Sequence, residues 1–392
     1  MVPECAPLDD AGGRSRPRRK ICCVASSLAA GGAERVQSLL ANQWVRECHE
    51  VTFVTLAGTV ADAYQLDPRV NRIALDCETE SRSVAQAVLH NLKKIRGLRR
   101  AIASCAPDVV ISFVDKVNVL ALISCMGIGV PVIISERTHP LHFDIGRIWS
   151  LLRRLTYPRT DALVIQSEAT RDWAEVVVPK ARIRIIPNPV GRQFSTNAGN
   201  AFPPRRSLVL GVGRLSQEKG FDVLIQAFSS VAERHPDWSL TIIGEGARDA
   251  EWKALARELL PPQAIHFAGT VKDPERYYRV AGLFVLPSRF EGFPNALLEA
   301  MACGCAVIAT DSPGGTSVIV RNGVDGVLIP PGDVEALARE MDRLMADGVE
   351  RTRLGERAVE VSSRFGIDAI AALWEGVITD AVVNHKLHLH IR

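Results

Sequence analysis

Leu283 to Gly304 reads "LFVLPSRFEGFPNALLEAMACG". The apolar run Leu283–Leu286 is short enough for a buried strand, and the segment after the loop has helical character. Pro294 suits the first helical position, where its missing N–H costs nothing, and Gly304 suits the helix stop. The stretch is therefore strand, loop, helix. The N–H groups of Asn295 to Leu297 lack intrahelical partners, so this helix start attracts an anion. Glu291 sits in the loop ahead of it, and Glu299 about one and a half turns in. A carboxylate near such an end accepts well from paired hydroxyls such as those of ribose. Taken alone, two glutamates at this spacing read better as a solvent-facing pair.

The same alternation runs outward in both directions. Candidate strands are Ile21–Ala25, Val51–Leu56, Arg72–Leu75, Val109–Phe113, Val132–Ser135 and Ala162–Ile165, with helical patterns between them. Gly191 to Arg206, "GRQFSTNAGNAFPPRR", is polar and aperiodic, as a linker is. Alternation restarts at Leu208–Val212 and continues through Leu240–Ile243, Ala264–Phe267, Leu283–Leu286, Ala306–Ala309 and Gly326–Ile329. The expected class is α/β: two tandem Rossmann-like, doubly wound domains facing a cleft, with ligands at the carboxyl ends of the strands. The expected domains are 1–190 and 191–364. Residues 1–19 are expected to be disordered, and a C-terminal helix of about 365–384 to pack back on the first domain. The tail "NHKLHLHIR" reads as frayed and solvated.

A chain of 392 residues, 47% hydrophobic and 23% charged, suits two globular domains. The polar, basic first twenty residues are not expected to act as an export signal, and the most apolar stretch, 117–134, is punctuated by Gly and Pro into a helix and a strand. The nine cysteines include no CxxC pair and sit mostly in apolar runs, as thiols of a reducing cytosol do. Net charge is +3, but residues 1–190 carry 25 Lys/Arg against 19 Asp/Glu, and the remainder 22 against 25. The two halves therefore suit different partners. Few aromatics accompany the basic runs, which argues against nucleic-acid binding by base stacking.

In "GVGRLSQEKGFDVLIQAF", Gly211 to Phe228, a strand ends in glycines, Arg214 follows at its tip, and Lys219 precedes the next helix. Two cations around a strand-to-helix turn form an anion site, Arg by bidentate contact and Lys as a point charge. In the first half, Gly31 and Gly32 lie before the first helix, where backbone can approach a phosphate closely. Gln86 to Ser104 carries Lys93, Lys94, Arg96, Arg99 and Arg100 among apolar residues, the pattern of a basic amphipathic helix on an anionic membrane surface. "GRIWSLLRRLTYPR" repeats it.

Arg214 with Lys219, Glu291 and Glu299 within "EGFPNALLEAMACG", and "GGTSVIVRNGVDGVLIPPGD" resemble the retaining GT4 family of glycosyltransferases, of GT-B fold. "GGAERV", "PDVVISF", "NVLAL" and "SERTHP" resemble a subgroup acting on lipid-linked or cell-envelope glycans. The resemblance implies a hexosyltransferase. Arg214 and Lys219 would hold the donor diphosphate, and Glu299 the ribose. Glu291 would meet the donor sugar, with backbone of Gly292, Phe293, Pro294 and Asn295 nearby and Val271 near the base. The donor would be a nucleotide-sugar, by subgroup UDP-linked, and the acceptor a glycan or polyprenyl-diphosphate-linked saccharide. No other cofactor is implied. Val318 stands where the family often has an acid. The family's first-domain histidine has two stand-ins, Glu136 and His139, either of which could contact a sugar. No D-x-D occurs, so the diphosphate is expected to be neutralised without metal. The expected place is the cytoplasm, peripheral on the inner face of the membrane. A nucleotide-sugar epimerase is the competing enzyme class, because it shares the two-domain architecture.

Overall fold

The computed structural model describes residues 17–60, 62–78, 83–137, 144–194 and 205–390. The expected disorder of residues 1–19 falls largely outside them. Two compact units emerge, Met1–Pro187 with Ile367–Arg392, and Asn188–Gly366.

The first unit is built on a seven-stranded, wholly parallel sheet. Its strands are β1 (Lys20–Ala25), β2 (Glu50–Thr55), β3 (Asn71–Ala74), β4 (Val109–Phe113), β5 (Val132–Ser135), β6 (Ala162–Ile165) and β7 (Ile183–Ile185). Their order is β3-β2-β1-β4-β5-β6-β7. β4, β5 and β6 are buried along their whole length, as strands covered on both faces must be, and this is why they read as near-continuous apolar runs, interrupted only by Ser112 and Ser135. β7 has no counterpart in the sequence reading. It is a three-residue edge strand inside "IRIIPNPV", too short for periodicity and hidden by the prolines after it.

The second unit has a six-stranded parallel sheet of β8 (Arg206–Val212), β9 (Ser239–Ile243), β10 (Ile265–Gly269), β11 (Ala281–Leu286), β12 (Val307–Thr310) and β13 (Val327–Ile329). Their order is β10-β9-β8-β11-β12-β13. In each unit the chain winds outward one way from the first strand and then returns to wind the other way. The switch points lie between β1 and β4 and between β8 and β11. A crevice opens at the carboxyl ends of the strands at such a point.

The C-terminal helix Ile367–His390 belongs to the first unit. Its fully buried Trp374 meets Trp44 edge-on at 6.2 Å and stacks on Phe113 at 5.7 Å. The helix runs to His390, well into the stretch that the sequence reads as frayed. His385 Nδ1 lies 3.0 Å from Asp161 Oδ1, and Arg184 reaches Asp380 at 3.4 Å, so the last turns have tertiary partners. Among the described residues no helix is long and apolar enough to cross a membrane, and the 117–134 stretch is the helix Asp115–Cys125 followed by β5.

Candidate active site

The carboxyl ends of β8 and β11 bring two of the expected residues into contact. Lys219 closes a short 3-10 turn, Gln217–Lys219, after β8. Glu291 stands five residues beyond β11 and is 7% exposed. Lys219 Nζ donates to Glu291 Oε1 at 2.7 Å, and Ser288 Oγ donates to the same oxygen at 2.6 Å. The cation expected for the diphosphate is therefore already neutralised by the carboxylate expected for the sugar. Arg214 differs: it is exposed at the tip of β8, and no carboxylate partners it among the described residues.

Arg289, which the sequence reading missed, sets this geometry. It grips Asp222 with two hydrogen bonds, of 2.9 and 2.6 Å, and donates to Gln217 O at 2.9 Å. Its own N–H donates to Glu218 O at 2.8 Å. The loop carrying Glu291 is thus tied to the turn carrying Lys219. Burial alone would raise the Asp222 carboxyl, but the hydrogen bonds and charge of Arg289 override it and hold the group below its usual range. No spacing in the sequence announces this pair, because its members are 67 residues apart.

Glycine is required where backbones meet. A Cβ at Gly220, whose φ is +64°, would lie 2.2 Å from Pro287 O, so the helix after Lys219 abuts the end of β11. A Cβ at Gly314, with φ +134°, would lie 1.7 Å from Glu291 O. The "PGG" segment therefore seats directly on the Glu291 loop.

The helix in the quoted stretch is Asn295–Ala302. Pro294 is its N-cap rather than its first residue, since its ψ of 104° is extended. The other end closes as a Schellman motif. Gly304, at φ +71°, donates to Met301 O at 2.8 Å, and Cys305 donates to Ala300 O at 3.0 Å. The first helical bond runs from Leu298 N–H to Pro294 O, leaving the N–H groups of Asn295 to Leu297 at the open end. Asn188 Nδ2 holds that end by donating to Phe293 O at 3.1 Å and Asn295 Oδ1 at 2.7 Å. Gly292 is half-buried, and Phe293 is buried against Phe365 at 5.7 Å. Glu299 is 3% exposed, on the buried face of the helix. Val271 is half-buried just past β10, and Glu245 Oε1 accepts from the neighbouring Thr270 N–H at 3.3 Å. Val318 is exposed, and Arg364 donates to its carbonyl at 2.6 Å.

In the first unit, Gly31 is the extended N-cap of the helix Gly32–Arg46. A Cβ there would lie 2.2 Å from Glu34 Oε2. The close backbone approach that the glycines permit is thus taken by the chain's own carboxylate. Glu136 follows β5 and is 3% exposed. Tyr157 O–H donates to it, and Asn118 Nδ2 donates to Tyr157 Oη at 3.3 Å. Burial pushes the Glu136 carboxyl up to about 7, against the Tyr157 hydrogen bond and with help from the charge of Asp115. Glu136 therefore has an interior partner instead of an open face. His139 lies outside the described residues.

Glu47, His49 and Glu375 bring ligand-type atoms within 4.8 Å of one another. His49 Nδ1 accepts from Arg19 N–H at 3.2 Å, so the ring proton sits on Nε2, 3.1 Å from Glu375 Oε1. A metal would need the lone pair there, with the other nitrogen donating. The close approach of His49 to Glu375 instead brings the C-terminal helix against the residue before β2.

Residues 194–361 match the glycosyl transferases group 1 family, and residues 31–189 match the glycosyl transferase 4-like domain. An exopolysaccharide phosphotransferase of Streptomyces coelicolor is 33% identical over 73% of this chain, which spans only 30% of that protein. A Campylobacter jejuni alpha-1,4-N-acetyl-D-galactosaminyltransferase, named for a diNAcBac-PP-undecaprenol-linked saccharide, is 27% identical over 92% of this chain and 98% of its own length. The structure of Anabaena HepE in complex with UDP superposes with a TM-score of 0.74, at 19% identity, over 92% of this chain and 99% of that one. Two family matches that together cover most of the chain, on two parallel Rossmann-like sheets, place this protein among the GT4 glycosyltransferases of GT-B fold.

Proposed function

We propose that the chain transfers a hexosyl or N-acetylhexosaminyl group from a nucleotide-sugar, UDP-linked by preference, to a glycan or lipid-linked saccharide, with retention. The observation that carries this is the Lys219–Glu291 pair at the β8/β11 switch point, beside Arg214, which no carboxylate partners among the described residues. The UDP bound to HepE supports the donor class, and the name of the Campylobacter relative supports the acceptor class. Arg214 and Lys219 meet the diphosphate, Glu299 the ribose and Glu291 the transferred sugar. The sugar–phosphate bond breaks, with negative charge developing on the diphosphate, where the two cations stabilise it. A bond forms from the acceptor hydroxyl to the anomeric carbon on the same face. The hydroxyl proton passes to the departing phosphate oxygen, so no separate strong base is needed. The cations and the helix start neutralise the diphosphate without a metal. The epimerase reading has no support among these relatives.

The basic face of the first unit suits work at an anionic membrane surface on the cytoplasmic side. The helix Val84–Cys105 exposes Val88, Leu89 and Leu92 beside its cations, and the helix Arg147–Thr156 exposes Ile148, Leu151 and Leu155. The deciding experiment incubates the protein with labelled UDP- and GDP-sugars and a polyprenyl-diphosphate saccharide, and analyses the products. An extended saccharide with a retained anomer is expected. A sugar epimerised on its nucleotide, or no transfer from any donor, would overturn the reading.

A further inference from the structure

An open cavity of ≈ 260 Å³ lies between the helix Val84–Cys105 and the residues that follow β3. Leu75 and the buried Cys77 lie along the sheet side. The helix side is one continuous stripe at positions 89, 92, 93, 96, 97 and 100, the i, i+3, i+4 spacing of a single helical face. Leu89 and Leu92 come first along it, then Lys93, Arg96 and Arg100. The stripe covers about 16 Å of helix axis, so its apolar and cationic ends are separated. Gly97 leaves room between them: a Cβ there would already lie 3.3 Å from Leu75 Cδ1.

Among the described residues that line this cavity every charged one is a cation, and Glu78 acts on Cys77 from beyond the lining. The helix contains no acidic residue over 22 positions. No carboxylate pairs with Lys93, Arg96 or Arg100 among the described residues. Three solvated cations on one rim repel one another, and an anion between them relieves that repulsion. Leu89, 65% exposed, and Leu92, 40% exposed, are costly in water unless something apolar covers them. The volume equals roughly eight or nine water molecules at about 30 Å³ each, enough for a phosphate group and a few carbons but small for a saccharide chain.

We propose that this cavity is a binding site for one anionic lipid, with its phosphate between Arg96, Arg100 and Lys93 and the start of its hydrocarbon against Leu89, Leu92 and Leu75. The site deepens the membrane part of the reading above and does not depend on the transfer chemistry. It differs from general attraction to a charged surface because only some of the helix cations line it. Lys94 is on the same helix but outside the cavity, which supplies an internal control.

The test is cosedimentation with phosphatidylcholine vesicles containing or lacking phosphatidic acid. Arg96→Gln and Arg100→Gln should each weaken binding to the phosphatidic acid vesicles about fivefold, and Lys94→Gln less than about twofold. Gly97→Leu keeps every charge and fills the cavity, and should weaken binding at least as much as Arg96→Gln. Circular dichroism checks that each variant is folded. The Arg96→Gln with Arg100→Gln double variant removes the rim without touching packing, so a misfolded Gly97→Leu leaves the proposal testable. Soluble dihexanoyl phosphatidic acid should displace the protein from vesicles, and inorganic phosphate should not. Equal losses for Lys94→Gln and Arg96→Gln, full binding by folded Gly97→Leu, or displacement by inorganic phosphate at the same concentration would each overturn the pocket. Turnover on a water-soluble acceptor, measured alongside, reports on the transfer reading separately.

Discussion

Replacing Glu291 by Gln should tighten the binding of a free nucleoside diphosphate while lowering turnover. Glu291 Oε1 accepts from Lys219 Nζ at 2.7 Å, in a setting where Glu291 is 7% exposed and the Lys219 side chain 25%. Unit charges at that distance attract by about 6 kcal/mol at an effective dielectric of about 20. Desolvation and the exposed part of Lys219 reduce the net value towards that of a charge-assisted hydrogen bond, about 1.5–3 kcal/mol. A diphosphate that takes Lys219 must draw it from this carboxylate, or share it and sit beside the carboxylate's negative charge. The substituted amide keeps the shape and imposes neither cost. The gain in affinity should therefore approach the same about 1.5–3 kcal/mol, roughly tenfold to 150-fold. Turnover should fall, because the sugar hydroxyls lose a charged acceptor. The assay is calorimetric titration of both proteins with UDP, at low and high salt, with initial rates on UDP-sugar. Glu299→Gln is the contrasting variant, and should weaken UDP binding. Equal or weaker UDP affinity in Glu291→Gln would refute the competition for Lys219.

Four further outcomes follow from the same geometry. Glu136, buried with its carboxyl raised to about 7, is more protonated in the folded than in the unfolded state, so its contribution to stability is greatest below about 4.5 and is lost as pH rises to about 7, by roughly 3 kcal/mol; urea unfolding across that window should show the loss in the wild type and not in Glu136→Gln, and parallel curves would refute it. Arg289→Lys, which cannot reproduce the two-pronged grip on Asp222, should weaken UDP binding by about 1–2 kcal/mol; wild-type affinity in this variant would show that the clamp does not hold Lys219 in place. Trp374→Ala should cost about 3–5 kcal/mol in unfolding by opening a cavity against Trp44 and Phe113, and a loss below about 1 kcal/mol would mean that the C-terminal helix is not anchored there. Transfer should survive excess EDTA; a loss restored by Mn²⁺ or Mg²⁺ would refute neutralisation by cations alone.

Strands were legible where both faces are buried. Val109–Phe113, Val132–Ser135 and Ala162–Ile165 are apolar except for the buried Ser112 and Ser135, and their observed bounds coincide with those read from the sequence. β7 was not legible, because three residues at a sheet edge carry no periodicity. The tail misled for a different reason. Its polar residues look solvated in sequence, yet His385 finds Asp161, 224 positions away. The candidate site divides in the same way. Arg214, Lys219, Glu291 and Glu299 could be put forward because strand ends and a helix start are local patterns and because the stretches that carry them resemble a known family. Which of them touch could not, since Lys219 and Glu291 are 72 residues apart. Glu136 was recognisable as a carboxylate after a strand, but its inward turn towards Tyr157 depends on packing 21 residues on.

The two switch points have the same topology and opposite local charge, and that difference argues for where a diphosphate goes. Beyond β8 and β11 stand Arg214, which no carboxylate partners among the described residues, a lysine held by one replaceable carboxylate, and the start of the helix Asn295–Ala302. Beyond β1 the helix start at Gly31 is already met by Glu34, whose carboxylate lies where a Cβ would touch it and approaches Ser26 Oγ at 3.4 Å. A first-turn carboxylate there already draws the stabilisation that a phosphate would seek from the positive helix end, and it repels a second anion. Phosphate binding at Gly31 and Gly32 would require Glu34 to swing out first. Hydroxyl groups face no such barrier, because they donate to a carboxylate. Ligand charge thus separates the two ends: the second unit suits the anionic half of a nucleotide-sugar, and the Gly31 turn suits a neutral, hydroxyl-bearing group.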